Sequence, residues 1–410
     1  MHPSRSEQSN SKKPASDSST SVGLIILLAA TIAITPLAID MYLPAMPTIA
    51  QDLQAHIGTV QQSLSIFLAA YGAGMLLFGP LADKFGRRPL ALFGISGFAT
   101  ASFLLVWANS IEWFLIMRAL QAFCGAAATV VVPGIIRHLY KEHTAKGMSY
   151  MSLIMMLAPL LAPGIGSGIL YFSEWHSIFW VLFGYALLLL LFIWKFLPEP
   201  TTSTARASIS FFSGYQKVFS EHSVRPLIAT IIFSSFSFFC YLTAIPFVYI
   251  QYFGVNEQLF SLLFAINIIT LMLSNFINSR FVSRVGSPYM VRRAMFTAIV
   301  LAALLCTVNI LKLDMVYTVI FLAPLLGCLT MISTNTDAMI LLQFPDHSGT
   351  ASAVTGTLRY ACGALAGPVL ALTYTGTPVP FAAFMLAGIT GIALCQFWIW
   401  RRAKVRAPQK

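Results

Sequence analysis

The feature that most constrains this chain is a succession of twelve apolar runs separated by polar turns. Most of them are close to the roughly 20 residues an α-helix needs to cross a hydrocarbon core. They cover roughly 22–43, 60–81, 90–107, 113–136, 148–172 and 178–197, then 227–249, 259–278, 295–311, 316–342, 351–372 and 381–400. In lipid there is no water to satisfy the backbone, so runs of this length fold as helices. The expected fold class is therefore an all-α membrane protein with twelve transmembrane helices. With 57% hydrophobic residues, 10% charged residues and a mean hydropathy of +0.77, a soluble globular domain is excluded.

The net charge of +11 does not point to nucleic acid, because the basic residues are spread over the turns instead of gathering on one segment. Of the 25 Lys and Arg, only Lys312 falls on the side opposite to the rest, and only Arg118 and Arg359 fall within runs. The positive-inside rule then makes the basic turns and both termini cytoplasmic. A Ser- and Lys-rich tail over 1–21 reads as disordered, and a polar break over 198–226 divides the runs six and six. The expected organisation is a bundle over 22–197, a cytoplasmic linker, a second bundle over 227–402 and a short tail over 403–410. All six cysteines lie inside runs without C-x-x-C spacing, and the seven histidines lack metal-ligand spacing, so no metal is expected. There is no phosphate-binding loop to make ATP the energy source and no enzyme signature.

One turn carries more than charge. In Gly79-Pro80-Leu81-Ala82-Asp83-Lys84-Phe85-Gly86-Arg87-Arg88, Pro80 is expected to end one helix, Gly86 to free the backbone for the turn, and Arg87 and Arg88 to hold it on the cytoplasmic side. The segment from Ser279 to Gly286 echoes it, with Ser283 in the place of Asp83. The pattern G-x-L-A-D-x-x-G-R-R resembles the signature loop of the major facilitator superfamily, a large group of secondary transporters. The resemblance implies a gating role for Gly79, Asp83, Gly86, Arg87 and Arg88.

Three further stretches extend the resemblance. The segment Ala38-Ile39-Asp40-Met41-Tyr42-Leu43-Pro44-Ala45-Met46-Pro47 closely resembles the first-helix motif of the Bcr/CflA drug-resistance exporters within that superfamily. The run Arg118-Ala119-Leu120-Gln121 resembles the fourth-helix arginine motif implicated in proton coupling, with Ala122 where glycine is usual. The fifth run, with Pro159, Pro163, Gly164 and Gly168, resembles the motif of drug–proton antiporters. Physically it is a small-residue ribbon with two prolines, suited to close packing and kinking.

Four charges lie inside runs, where each costs about 3 kcal/mol on insertion scales unless it is paired or faces a cavity. Asp40 and Arg118 fall at similar depth in the outer half of the first bundle, close enough to meet. They read either as a fixed ion pair bracing the first and fourth runs or as a proton site, in which only Asp40 titrates. Asp337 and Arg359 can pair across the tenth and eleventh runs in the inner half, where a structural role is favoured and a functional one stays open. The polar stretch Ser333-Thr334-Asn335-Thr336 suits a water-filled path. Tyr42, Phe67, Tyr71, Met75, Phe236, Phe239, Tyr241 and Tyr249 are candidates for a greasy, adaptable substrate cavity.

Together the resemblances imply a proton-driven antiporter that exports small organic compounds such as drugs across a bacterial inner membrane. It would act as a monomer in the lipid bilayer, with the proton gradient in place of a cofactor. Export of a metabolite such as an amino acid or siderophore, proton-independent facilitation, and a membrane-embedded sensor stay open.

Overall fold

The computed structural model describes residues 18–140, 144–197, 220–344 and 348–406, whose regular structure is helical with no strand. The first apolar run is α1 (Ser18–Asp40), followed by a 3-10 turn over Leu43–Ala45 and α2 (Met46–Asp52). Next come α3 (Ile57–Phe85), α4 (Arg87–Val106), α5 (Ile111–Val130) with α6 (Val132–Tyr140), α7 (Thr144–Phe172) and α8 (His176–Phe196). The second set comprises α9 (Arg225–Pro246) with a π turn over Phe247–Tyr252, α10 (Glu257–Val285), α11 (Ser287–Ile310) and α12 (Met315–Gln343). It ends with α13 (Ser348–Gly363), α14 (Ala366–Leu372) and α15 (Val379–Arg406). Each run of the sequence is thus helical, and α15 continues four residues past the expected boundary at 402. Ten helices among the described residues are long and apolar enough to cross a membrane, and α7 adds a shorter apolar stretch, Leu157–Phe172. Residues 1–17, 407–410 and the 198–219 part of the linker expected over 198–226 lie outside the described residues.

Because successive long helices run in opposite directions, the short turns sort the charges to two ends. Lys84, Arg87, Arg88, Lys195, Arg284 and Arg401 gather at one end, and Asp52, Glu112, Glu174, Glu257 and Asp314 at the other. Three of the helices that start at the acidic end, α5, α10 and α12, are capped by polar side chains. Ser110 accepts from the Trp113 amide at 3.2 Å, Asn256 from Leu259 at 2.8 Å and Asp314 from Val316 at 2.9 Å. Each occupies a donor that the first turn of a helix leaves free. Glu112 and Glu257 in first turns, and Lys84, Lys195 and Arg284 in last turns, also complement the helix dipoles.

Pro80 does not end its helix. It lies inside α3, which runs on to Phe85 and is stopped by Gly86 at φ +94° and ψ +153°. Gly286 stops α10 at φ +82° and ψ +152°, so the echo between the two turns is a repeat of backbone conformation. That region of φ/ψ space is essentially closed to side chains, which explains glycine at both positions. Beside the first turn, Arg87 donates to the carbonyl of Gly134 on α6, and Arg88 to that of Trp194 in the last turn of α8. The two arginines therefore bind neighbouring helices as well as carrying charge.

Within the first six runs, α5 packs on α3 and α4, α4 on α8, and α1 on α7. Within the second six, α12 packs on α10 and α11, and α15 on α9 and α11. Between the sets, α3 meets α13 and α14, and α7 meets α10. The eleventh run is broken between Gly363 and Ala366, which leaves the Gly367 amide without an acceptor in its own helix. Ser65 of α3 accepts that amide at 2.9 Å, across the two sets. Nearer the acidic end, His56 and Tyr374 meet edge to face at 5.2 Å, and Ser261 of α10 donates to the Pro163 carbonyl of α7 at 2.8 Å. The two sets are latched together at this end.

Candidate functional site

A cavity of about 360 Å³ lies between the two sets of helices. Its walls come from α1 (Thr35, Pro36, Ile39, Asp40), α3 (Tyr71) and α7 (Met155, Pro159) on one side. On the other they come from α9 (Ser234, Ser235, Phe238, Phe239, Leu242), α10 (Phe264, Ile268, Leu271, Met272, Asn275), α12 (Leu329, Thr330, Ser333, Thr334, Asp337) and α13 (Arg359, Tyr360). Three of the four charges that the sequence places inside runs therefore share one chamber.

Asp40 is the last residue of α1 and is 4% exposed. Its carboxylate makes no hydrogen bond or ion pair among the described residues. Asp337 and Arg359 form an ion pair at 2.7 Å, with Arg359 also donating to the Ser333 hydroxyl at 3.0 Å. Ser333 and Asp337 are four residues apart, so α12 presents both on one face toward α13. The pairing matches the sequence expectation, but the location changes its meaning: the pair faces the same cavity as Asp40.

The expected meeting of Asp40 and Arg118 does not occur as an ion pair. Arg118 is fully buried and donates to the Ala38 carbonyl at 3.0 Å and to Gln121 Oε1 at 2.7 Å. Its guanidinium lies over the rings of Tyr42 at 4.1 Å and Phe67 at 4.5 Å, a favourable arrangement for a cation away from water. Gln121 continues the network to Ser102 at 2.8 Å. The reason is angular: two residues on an α-helix are about 200° apart around its axis, so the end of α1 turns Ala38 and Asp40 to different sides. Arg118 thus binds the backbone of the helix that carries Asp40.

Of the eight cavity candidates, Tyr71 and Phe239 line the chamber. Tyr42 and Phe67 enclose Arg118 instead, and Met75 packs toward Gly356. Phe236 packs on Phe384 at 6.3 Å, Tyr241 accepts from Asn267 at 3.1 Å, and Tyr249 is buried in the π turn. Phe238, Phe264 and Tyr360 take their places in the wall. A signal for this was present on α12, where Leu329, Thr330, Ser333, Thr334 and Asp337 form one helical stripe. In the polar stretch, Ser333 and Thr334 reach the cavity, whereas Asn335 bonds Asn278 at 2.6 Å.

In the fifth run, Pro159 lines the cavity and Pro163 offers its carbonyl to α10. Gly164 and Gly168 are exposed, with nothing within 4 Å of a side chain built there. The close approach falls instead at Gly166, where a Cβ would lie on the Met41 carbonyl oxygen of the first run. Positions 164 and 168 share a helical face that 166 opposes, so the ribbon touches α1 on its other side. In the signature turn, Gly79 likewise has open space around it. The side chain of Asp83 lies outside what is described.

A family model described as Major Facilitator Superfamily matches residues 28–368. The chain is 32% identical to "Bicyclomycin resistance protein homolog" of Haemophilus influenzae, over 92% of this chain and 96% of that protein. It is 31% identical to "Chloramphenicol resistance protein" of Pseudomonas aeruginosa, over 88% of this chain and 87% of that one. Among solved structures, a D323A mutant of the nucleoside transporter NupG superposes with a TM-score of 0.73 at 14% identity, covering 93% of this chain and 99% of that one.

Proposed function

The chain belongs to the Major Facilitator Superfamily, and on that premise we propose that it exports small organic compounds, drugs among them, across a bacterial inner membrane in exchange for protons. The relatives named for bicyclomycin and chloramphenicol resistance support the drug reading and the likeness to Bcr/CflA exporters. The observation that carries the mechanism is Asp40, a buried carboxylate without a partner among the described residues, in the wall of a chamber built from both sets of helices. A carboxylate in that setting holds or releases a proton as its water access changes.

In this reading the basic end is cytoplasmic, both termini are inside, and the bundles over 22–197 and 227–402 rock about the central cavity in a monomer. The latch of Ser65, Gly367, His56 and Tyr374 closes the chamber to the periplasm. When it opens, Asp40 takes a proton from outside; when it closes, the proton leaves inward and substrate is accepted. Arg118 holds the end of α1 so that Asp40 stays on the chamber wall.

Purified protein in proteoliposomes tests this. An imposed pH gradient should drive chloramphenicol against its own gradient, and collapse of the pH gradient should stop it. Equal transport with and without the gradient would make the chain a facilitator. Absence of movement for any drug in a broad panel would turn attention to metabolites.

A further inference from the structure

The chamber wall contains more unsatisfied polar chemistry than an apolar drug requires. Thr35 and Ser235 line it at 5% and 4% exposure, and the Ser235 hydroxyl makes no hydrogen bond among the described residues. Asp337 uses one carboxylate oxygen for Arg359 and leaves Oδ1 buried without a partner among the described residues. The Arg359 side chain is 32% exposed, and its bonds to Ser333 and Asp337 occupy two of its five N–H donors. Around these groups stand the rings of Tyr71, Phe238, Phe239, Phe264 and Tyr360.

We propose that the Asp337–Arg359 pair, steadied by Ser333, is the polar anchor of the substrate site and selects uncharged amphipathic molecules bearing a carbonyl or similar hydrogen-bond acceptor. The inference rests on the export reading and adds to it the substrate class and the residues that read it. The spare donors of Arg359 take the acceptor group, while the aromatic rings cover the apolar remainder of the molecule. Asp337 cancels the charge of Arg359, so an organic anion gains little from the guanidinium and meets the uncompensated Asp40 in the same chamber. Asp40 is left free for the proton, and substrate selection and proton handling fall to different side chains.

The pair also braces α12 against α13, so loss of binding alone would not separate recognition from bracing. The measurement is therefore a ratio of affinities, made on purified full-length protein with uncharged chloramphenicol and anionic nalidixate. Asp337→Asn leaves Arg359 uncompensated and should shift the ratio toward nalidixate by about tenfold or more, the effect of a charge imbalance worth about 1.4 kcal/mol. Asp337→Glu should restore the parent ratio. Arg359→Met should weaken chloramphenicol by about tenfold or more, as expected when hydrogen bonds to a charged group are lost. Ser333→Ala, which removes no charge, should lower chloramphenicol affinity by a smaller factor in a protein as stable as the parent.

If Asp337→Asn and Arg359→Met lower both probes by one common factor, or leave the ratio unchanged, the pair is only a brace and the anchor is overturned. A parent that exports chloramphenicol while the ratio stays fixed in the variants overturns the anchor alone. A parent that moves no compound of a broad drug panel, these two probes included, overturns the export reading together with it.

Discussion

Asp40→Asn abolishes uphill export while leaving substrate binding and folding intact. Asparagine keeps the shape of the side chain but cannot exchange a proton at accessible pH. No ion pair is broken, because the carboxylate has no partner among the described residues to be orphaned. That separates this substitution from the usual outcome of removing one member of a buried pair, which destabilises by about 3–5 kcal/mol. A gradient of one pH unit represents about 1.4 kcal/mol per proton. At one proton per substrate this sustains about a tenfold accumulation. In Asp40→Asn vesicles the accumulation ratio should fall to unity, and substrate-induced proton release from solubilised protein should disappear, while equilibrium binding stays near the parent value. Gradient-driven export at the parent rate would leave Asp40 as a wall residue and direct the search to Asp337, the other carboxylate of the chamber.

Gly166→Val prevents assembly of the first bundle. A Cβ at this position falls on the backbone carbonyl of Met41, which has no rotamer by which to withdraw. Overpacking a well-fitted interior costs about 1–3 kcal/mol even when side chains can adjust. Here α7 and the end of α1 must separate, and the Asp40 carboxylate moves with them. Thermal unfolding in detergent, followed by size-exclusion fluorescence, should show a large loss for Gly166→Val and a smaller but clear one for Gly166→Ala. Gly164→Ala and Gly168→Ala, with nothing within 4 Å, serve as controls and should behave like the parent. Equal stability across all four variants would mean that α1 and α7 do not pack as closely as described.

The contrast between Gly166 and its neighbours shows how far the sequence can be read. Span positions were legible because hydrocarbon thickness sets a length and turns must be polar. The turn glycines were legible because their backbone conformation admits no other residue, and Gly86 and Gly286 share it. Depth within a helix was therefore readable, and Asp40 and Arg118 do fall within the same bundle. Direction around the axis was not. A helix that is apolar all round marks no face, so nothing in α1 indicated that Ala38 would serve Arg118 while Asp40 served the chamber. The same ambiguity moved the aromatic wall from Phe236 and Tyr241 to Phe238 and Tyr360. Where polar residues broke the uniformity, as along Thr330, Ser333, Thr334 and Asp337, the facing stripe was available to be read.

The Gly367 amide gives the opening stroke a hydration requirement. While the acidic end is shut, Ser65 satisfies an amide that the broken eleventh run leaves free. Parting the helices removes that acceptor, and a backbone donor in such surroundings must be rehydrated to avoid a penalty of about 1–3 kcal/mol. Opening is then wetting as much as movement, with solvent molecules consumed on one side of the cycle and expelled on the other. Excluded solutes that lower water activity on that face would hold the protein shut, so its turnover would carry an osmotic sensitivity whatever the cargo.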